Sequence, residues 1–567
     1  MKLVFLIPYI FLFFLSCKGD DNSSTVNSNE SVSEETQEKL DDESAIEEGE
    51  NTENLLLQLN GSQLVDANQI PVYLQGVAFN NYVWDNNPLP PNDHHNERDY
   101  ERVSAMGMNT IRFYMNYHIF EDDNQPYTYK QSGWDWLDQN IAWAKKHDIY
   151  LVLNMQVPQG GYQSAGDGVA LWENNENQNR LVALWRAIAD RYKNEVHIAG
   201  FGPMNEPVPT QSISQWSVLA QRLINNIREV NKNHLIFIEQ ANYVLGSFTK
   251  DENFNFPEVE ANNLIYEFHG YAPYYYSHQL LDFAKLGDGG KYPNENIIEV
   301  DKSTWHTAIY NNPSVPHGST DWTFFEGLPY TVNDTEIALG VPTLLASEIE
   351  GKVYYDDISV KEFDQNGAFI RDVHSINLNT LSGWRFWSQN DSGNHGLSNN
   401  EGHNDSSSIF IKGTTSVSNL SFFDGRFEIT QGHSYQVSGW MKGDNVSNTA
   451  NGKIRLEFYK TEGPIFKRNK AYLENFLTNV SDWAKAKNAA LFMGEFGVGT
   501  PCFQNGKGGL VWVSDMVSLL KEKNIHFTYH TYHATKDASF GLYLGNGLPN
   551  TNNVNQLLID WFTANLK

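Results

Sequence analysis

The sequence predicts an α/β protein: a (β/α)8 TIM barrel that is interrupted after its sixth strand by an all-β sandwich domain. From residue 55 onward, short apolar runs alternate with amphipathic segments, which is the pattern of a parallel barrel. After the sixth run the pattern changes, for about 220 residues, to short alternating strands separated by turn residues. Both patterns together indicate one domain inserted into another.

Eight apolar runs supply the barrel strands, the number that closes this fold. We expect them at Tyr73–Phe79, Asn109–Tyr114, Ile149–Met155, Ile198–Met204, Leu235–Glu239, Leu264–His269, Ala490–Glu495 and His526–Tyr532. Between the strands, segments such as Trp134–His147 and Gln178–Tyr192 place apolar residues at helical spacing. The barrel domain is therefore assigned to residues 55–312 and 464–567.

The inserted sandwich is assigned to residues 313–463. Its predicted strands include Lys352–Val360, Phe427–Ile429, Tyr435–Met441 and Lys453–Tyr459, each with the period-two alternation of a half-buried strand.

The amino terminus predicts export and lipid anchoring. An apolar run that is too short for a spanning helix ends at Phe14-Leu-Ser-Cys17, which resembles the signal and lipobox of bacterial lipoproteins. We assign residues 1–16 to the signal peptide and Cys17 to lipidation. Residues 17–54 hold thirteen acidic residues against two lysines, so we expect a disordered acidic tether. The resemblance implies a lipid-anchored protein of the cell surface or outer membrane of a Gram-negative bacterium.

The composition and the motifs of the chain argue against a nucleic-acid partner, a disulfide framework and a cofactor. The net charge of −29 argues against nucleic-acid phosphate, and two cysteines provide no disulfide framework. The chain has no dinucleotide-binding glycine fingerprint, phosphate loop or Cys-His zinc spacing, so we expect no cofactor and no metal. The 15 tryptophans and 28 tyrosines fit surfaces that stack on sugar rings, although most aromatic residues fill cores.

Two acidic motifs carry the functional prediction. Phe201-Gly-Pro-Met-Asn-Glu-Pro207 and Phe492-Met-Gly-Glu-Phe-Gly497 each place a glutamate where a buried strand ends. Carboxylates at the carboxyl ends of barrel strands meet at one face of the barrel, and a pair of them can cut a glycosidic bond.

Five motifs in order resemble glycoside hydrolase family 5 of clan A. They are the two glutamate motifs, Asn109-Thr-Ile-Arg-Phe113 on the second strand, Tyr266-Glu-Phe-His-Gly-Tyr-Ala-Pro273 on the sixth, and Ser277-His278-Gln279 after it. The resemblance covers roughly residues 55–300 and 465–567.

The resemblance implies a role for each motif residue. Glu206 would be the acid/base and Glu495 the nucleophile of a retaining mechanism. Arg112 would pair with Glu495 and keep it ionised. Asn205 would bind the sugar 2-hydroxyl, and His269 and Tyr271 would support the nucleophile and the region of the ring oxygen.

Two departures from the family pattern leave the identity of the substrate sugar undetermined. The third strand ends in Asn154-Met-Gln156 in place of the common histidine, so Gln156 is a candidate for that position. The eighth strand lacks the usual tryptophan, and Tyr529, His530 or Tyr532 could supply the sugar platform instead. Two tryptophans in predicted barrel loops, Trp172 and Trp512, are further platform candidates, with core packing at least as favoured.

Parts of the insertion resemble jelly-roll carbohydrate-binding modules. Val353–Val360 resembles their closing strand, while Trp384-Arg-Phe-Trp387 and Tyr435–Trp440 resemble their opening half. The closing strand comes first, so we expect a circular permutation, in which Lys352–Val360 pairs within the same sandwich as Tyr435–Met441. Trp384 and Trp387 could stack on a glycan, but a structural role is favoured.

Together these features predict a monomeric, surface-anchored, retaining endo-β-glycosidase. Its expected partner is a β-1,4-linked polysaccharide, most plausibly a β-glucan of the cellulose type. A β-mannanase, or a hydrolase for another β-glycan, is the alternative within the family. A glycan-binding lipoprotein without catalysis is the alternative from another class, and the presence of both glutamates weighs against it.

Overall fold

A computed structural model describes residues 55–247, 251–390, 392–448, 451–535, 539–545 and 548–567. The predicted signal peptide, Cys17 and the whole of the predicted tether lie outside the described residues. Within the described ranges, none of the helices combines the length and apolar character needed to cross a bilayer.

Eight parallel strands close into a barrel, as the sequence predicts. They are β1 (Gln75–Phe79), β2 (Thr110–Asn116), β3 (Tyr150–Val157), β4 (Ile198–Gly202), β5 (Leu235–Glu239), β6 (Leu264–Gly270), β7 (Ala490–Phe496) and β8 (His526–Tyr529). Seven predicted strands agree with these bounds to within two residues. The eighth ends three residues earlier than predicted, because the chain leaves the barrel wall after Tyr529.

Helices surround the barrel and cover its outer surface. Their bounds are α1 Glu97–Ala105, α2 Gln131–Lys146, α3 Val169–Glu173, α4 Asn175–Arg191, α5 Ile213–Val230, α6 Tyr274–Ser277, α7 Lys470–Ala486, α8 Gly509–Glu522 and α9 Gln556–Asn565. The two predicted helices correspond to α2 and α4. Their apolar faces share one buried cluster with the outward-facing residues of the strands.

Two antiparallel sheets form the inserted domain. The first contains, in spatial order, Asn294–Ala308, Asn451–Arg468, Leu339–Ser347, Val417–Phe422 and Trp384–Ser388, with Phe427–Glu428 beside Leu339–Ser347. The second contains Thr323–Glu326, Ser434–Asp444, Lys352–Phe363, Ser408–Lys412 and Asn394–Ser398, with Tyr330–Thr331 and Phe369–Ile376 at its margins. Residues of both sheets share one apolar core, as in a sandwich.

The predicted borders of the insertion are wrong on both sides. The entering strand Asn294–Ala308 pairs antiparallel with the leaving strand Asn451–Arg468, so the sandwich spans residues 294–468. The predicted borders place all of Asn294–Ala308, and residues 464–468 of the leaving strand, in the barrel domain. In the structure the two segments satisfy each other's backbone hydrogen bonds, which joins the domains through a two-stranded ribbon.

Strand pairing within the second sheet agrees with one expectation. Lys352–Phe363 pairs antiparallel with Ser434–Asp444, as the circular-permutation hypothesis requires. The tryptophan Trp384 is 5% exposed and stacks on Phe422 with 5.0 Å between ring centroids, so it serves the sandwich core.

Candidate active site

Inward-facing residues fill the barrel in layers. Alternate strand residues such as Val152, Phe237 and Phe492 form an apolar floor. One step toward the carboxyl ends of the strands, the interior changes to buried charged groups, and above these lie the two predicted glutamates. The barrel therefore places its polar residues at a single end, where the strand-to-helix loops meet.

Glu495, at the end of β7, is held by three hydrogen bonds. Arg112 Nη1 and the Tyr114 hydroxyl donate to its Oε1 at 2.8 and 2.6 Å, and the Tyr271 hydroxyl donates to its Oε2 at 2.7 Å. Burial alone would raise the pKa of Glu495, but the charges of His269, His530 and Arg112 outweigh burial and hold it well below its usual range. Glu495 is therefore ionised, as a nucleophile must be.

Glu206 follows β4 and keeps contact with solvent. Its side chain is 19% exposed, against 7% for that of Glu495. His269 Nδ1 lies 2.9 Å from its Oε1. Carboxylate oxygens of Glu206 and Glu495, together with a ring nitrogen of His269, lie within 4.8 Å of one another. The two glutamates, 289 positions apart in sequence, thus face each other across the barrel mouth.

Arg112 lies at the centre of the charged layer and is fully buried. Besides Glu495 it contacts Glu267 through Nε at 2.6 Å, and Nη2 reaches Glu239 at 3.1 Å and Asn205 Oδ1 at 2.9 Å. The Asn205 side-chain nitrogen donates to Ser164 Oγ at 3.2 Å. Asn205 is therefore fixed in orientation at the side of the acid/base candidate.

One glycine makes this layer possible. A Cβ on Gly494, next to Glu495, would lie 1.8 Å from Glu267 Oε1 and 3.0 Å from Arg112 Nε. Gly494 therefore leaves room for the buried Arg112–Glu267 ion pair to pack directly against the β7 backbone.

The predicted platform residues divide into two groups. His530 reaches the site, where its Nδ1 lies 3.0 Å from the Tyr114 hydroxyl and 3.9 Å from Glu495 Oε2. Tyr529 packs between β8 and the helices against Phe496 and Phe562, so its prediction as a platform is wrong. Strand alternation explains the difference, because neighbouring residues face opposite sides of the wall.

Three further platform candidates are buried as well, and for Trp172 and Trp512 burial agrees with the core packing that the sequence favoured at least equally. Tyr532 is buried and donates to Asp99 Oδ1 at 2.8 Å. Trp172 is buried, and its indole N–H donates to Gln163 Oε1 at 2.8 Å. Trp512 is buried on α8 and donates to the Ala272 carbonyl at 3.0 Å. Each ring is occupied in the packing of helices and loops against the barrel wall.

Gln156 lies near the end of β3 and is 2% exposed. Its buried Oε1 has no hydrogen-bond partner within the described residues, and the same holds for both side-chain amide atoms of Asn154. Both side chains face the barrel interior, so this wall offers amide groups where an imidazole is common in the family.

Sequence reasoning missed several residues of the site. Tyr114, two positions after Arg112, could have been found by strand alternation, as could Glu267, two positions before His269. Glu239 ends β5 and is 2% exposed. Trp84, on the loop after β1, gave no sequence signal. Its ring is nearly perpendicular to those of Tyr114 and His530, with centroids 6.3 and 6.4 Å away.

Two residue sets at this site have the spacing of metal ligands, and a third, His306, Asp334 and Glu336, lies in the sandwich. One is Glu206, His269 and Glu495, and the other is Glu239, Glu267 and His269. The Arg112 guanidinium already contacts three of these carboxylates and supplies positive charge at their centre. An ion bound by the second set would have to compete with that guanidinium.

Part of the chain is similar in sequence to known proteins. Residues 65–313 match the model of the family described as cellulase (glycosyl hydrolase family 5). Endoglucanase C of Acetivibrio thermocellus is 31% identical over 183 residues, which are 32% of this chain and 52% of that protein. The beta-xylosidase of Phanerodontia chrysosporium is 33% identical over 176 residues, 30% of this chain and 36% of that protein.

The chain spans about half the length, or less, of these curated relatives. A crystal structure of Thermotoga maritima Cel5A in complex with mannotriose aligns with 86% of this chain and 97% of that one, at 13% identity and a TM-score of 0.46. A similarity with a TM-score this low carries no argument about the fold, which is established by the barrel strands of this chain. The family resemblance seen in the sequence is supported over residues 65–313, the part of the chain that matches the glycosyl hydrolase family 5 cellulase model and that contains barrel strands β1–β6.

Proposed function

We propose that this protein is a retaining endo-β-glycosidase that hydrolyses a β-1,4-linked glucan of the cellulose type. The observation that carries the proposal is the approach of the Glu206 and Glu495 carboxylates to within 4.8 Å. Retaining enzymes hold their carboxyl groups about 5–5.5 Å apart, whereas inverting enzymes need about 6.5–9.5 Å to admit a water molecule.

The hydrogen bonds of Glu495 support its role as nucleophile. Oε1 accepts from two donors, Arg112 and Tyr114, while Oε2 accepts from Tyr271 alone. We assign the attack on the anomeric carbon to Oε2. As the bond from Oε2 to that carbon forms, the glycosidic bond breaks and Glu206 gives its proton to the departing oxygen. Oε1 then becomes the ester carbonyl oxygen and keeps both of its donors.

Hydrolysis of the ester completes the cycle. A water molecule enters on the side of Glu206, which takes up one of its protons while the oxygen attacks the anomeric carbon. The bond to Glu495 breaks, and the sugar leaves with its original configuration because the carbon has been inverted twice.

Trp84 is our candidate for the sugar platform in place of the missing eighth-strand tryptophan. It is 36% exposed and lies beside the rings of Tyr114 and His530, which adjoin Glu495. Aromatic rings of this kind present an apolar face to a sugar and a polar edge to the protein.

Glucan is preferred over mannan because several relatives, such as that of Acetivibrio thermocellus, are named endoglucanase. The other relative described above is named beta-xylosidase, which also fits a β-linked substrate.

We further propose that the inserted sandwich is a carbohydrate-binding module. Its second sheet carries an aromatic strip, formed by Trp322, Phe324, His403 and Trp440. Phe324 and Trp440 are direct cross-strand partners, and the His403 ring stacks on Trp440 with centroids 3.6 Å apart. Phe324 is 49% exposed. Asp357, which accepts from His403 at 2.9 Å, adds a carboxylate beside the strip.

The lipoprotein resemblance supports a surface-anchored enzyme. A lipid on Cys17, followed by the acidic segment of residues 17–54, would hold the barrel away from the outer membrane of a Gram-negative cell. We propose that the protein acts there as a monomer on polysaccharide too large to be imported.

Exchange of either glutamate tests the mechanism. We expect Glu495→Gln to abolish hydrolysis of an activated aryl β-glycoside, because an amide cannot form the ester. Glu206→Gln should slow hydrolysis of cello-oligosaccharides by about 10²–10⁴-fold, the usual contribution of general acid–base catalysis. Glu457→Gln, a buried carboxylate of the sandwich, is the control. Product configuration is read by NMR immediately after mixing, and an inverted product or an active Glu495→Gln would refute the mechanism.

Removal of the proposed platform should weaken binding at the site. We expect Trp84→Ala to lower kcat/KM for cello-oligosaccharides by about 30-fold, which corresponds to about 2 kcal/mol for the lost burial of an aromatic ring. Trp84→Phe should retain most of the activity. Tyr310→Ala, which removes an aromatic residue 56% exposed in the sandwich, is the control. Unchanged kinetics of Trp84→Ala would show that the platform lies elsewhere.

Binding by the sandwich can be measured apart from catalysis. In native gels that contain hydroxyethyl cellulose, Phe324→Ala should migrate faster than the parent, because it removes the exposed ring of the strip. Phe369→Ala, which removes a ring 55% exposed on another strand of the sheet, should migrate like the parent. Equal retardation of all three proteins would exclude the strip as a glycan site.

The anchor depends on one thiol. In a Gram-negative host, we expect the full chain to incorporate a labelled fatty acid and to fractionate with membranes, whereas Cys17→Ala should do neither. Ser16→Ala, which leaves the thiol in place, is the control. Labelling of the Cys17→Ala variant would contradict the proposal.

A further inference from the structure

Two buried carboxylates lie beneath the candidate catalytic pair, and the proposed reaction uses neither of them. Glu239 is 2% exposed and Glu267 is fully buried, so substrate reaches neither. We propose that Glu239 is a positioning residue that fixes the acid/base Glu206 and keeps its partner His269 positively charged. This inference rests on the proposed function.

The contacts of Glu239 join both halves of the catalytic machinery. Its Oε1 accepts a hydrogen bond from the backbone N–H of Glu206 at 2.8 Å and lies 3.3 Å from His269 Nε2. Its Oε2 accepts from Arg112, which in turn donates to Glu495. A single carboxylate therefore touches the acid/base backbone, the imidazole beside the acid/base, and the guanidinium that holds the nucleophile.

The backbone of Glu206 needs such a partner. Its φ is +40°, in the left-handed region that a residue with a Cβ rarely adopts. The hydrogen bond from the Glu206 N–H to Glu239 holds this conformation. The conformation directs the side chain toward His269 and Glu495.

His269 lies between two carboxylates. Its Nδ1 is 2.9 Å from Glu206 Oε1, and its Nε2 faces Glu239. Both nitrogens can donate only in the imidazolium form. Burial lowers the pKa of His269, but Glu239 and Glu495 outweigh burial and raise it well above its usual value. Burial also raises the pKa of Glu239 well above its usual value, so Glu239 and His269 compete for one proton. We place that proton on His269, because the Glu206 backbone N–H and Arg112 each donate to one oxygen of Glu239.

Six of the eight barrel strands, or the loops that follow them, contribute a group that faces or adjoins this imidazole. The charged and titratable neighbours are Arg112 and Tyr114 from β2, Glu206 after β4, Glu239 from β5, Glu267 from β6, Tyr271 after β6, Glu495 from β7 and His530 after β8. When Glu206 gives up its proton, the resulting carboxylate faces the imidazolium. Glu239 thus acts on Glu206 through His269.

The test is Glu239→Gln in the full chain, which keeps the shape and removes the charge. We expect the His269 ring, followed by NMR of ¹⁵N-histidine, to lose its proton at a pH lower by about one unit or more. kcat on cello-oligosaccharides should fall about 10-fold or more, with KM changed by less than about 2-fold.

Two further variants separate charge from position. Glu239→Asp keeps the charge but shortens the reach, so we expect His269 to stay charged while kcat falls. Glu457→Gln controls for loss of a buried carboxylate. If Glu239→Gln fails to fold, Glu239→Asp still tests the inference, since parent-like kcat in that variant would overturn it.

An unchanged His269 titration in folded Glu239→Gln would also overturn the inference. The NMR titration needs no turnover, so it stands even if Glu206→Gln and Glu495→Gln disprove the proposed reaction.

Discussion

The site depends on one buried cation, the guanidinium of Arg112. Isolated in a barrel interior, such a charge would be too costly to bury, and a buried carboxylate without a partner would be equally so. Arg112 resolves both problems, because its fork of N–H donors contacts Glu239, Glu267 and Glu495 from one position. Arg112 therefore fixes the position of the Glu495 carboxylate from inside the barrel, where substrate does not contact it. The apolar floor of the barrel beneath the guanidinium keeps this ion network away from water, which strengthens each of its contacts.

The charge of this network suits the reaction that we propose. With His269 protonated, two cations face the three carboxylates Glu239, Glu267 and Glu495, which leaves one negative charge beneath the barrel mouth. An oxocarbenium-like transition state carries positive charge at the anomeric carbon, so the interior favours it over the neutral sugar. The negative charge belongs to fixed, buried groups, so little reorganisation is needed when the sugar becomes charged. We therefore expect the buried carboxylates Glu239 and Glu267 to stabilise the transition state electrostatically, although substrate does not contact them.

The sequence predicts the barrel well because each strand is a short apolar run with a polar end, and a strand end is where this fold places its chemistry. Glu206 and Glu495 could be found in this way, and Arg112 through its motif. Glu267 was missed because it lies within an apolar run, Leu264–Gly270, where only alternation reveals its inward direction. Platform assignments failed for Tyr529, because a residue next to an inward-facing one on a strand points to the opposite side. Loop residues such as Trp84 cannot be predicted, since their approach to the site depends on the course of a loop with no periodic pattern.

The insertion shows how a domain can enter the barrel without disturbing the site. Its two connecting strands, Asn294–Ala308 and Asn451–Arg468, pair with each other, so a single two-stranded ribbon connects the insertion to the barrel. A buried ion cluster fixes the base of the ribbon. Arg468 donates to Glu299 at 2.6 Å and to the Gly289 carbonyl of the barrel loop. The same loop begins with Tyr271, which donates to the nucleophile. Because the cluster binds the end of that loop, the sandwich stabilises the segment between β6 and the ribbon, the segment that begins with Tyr271.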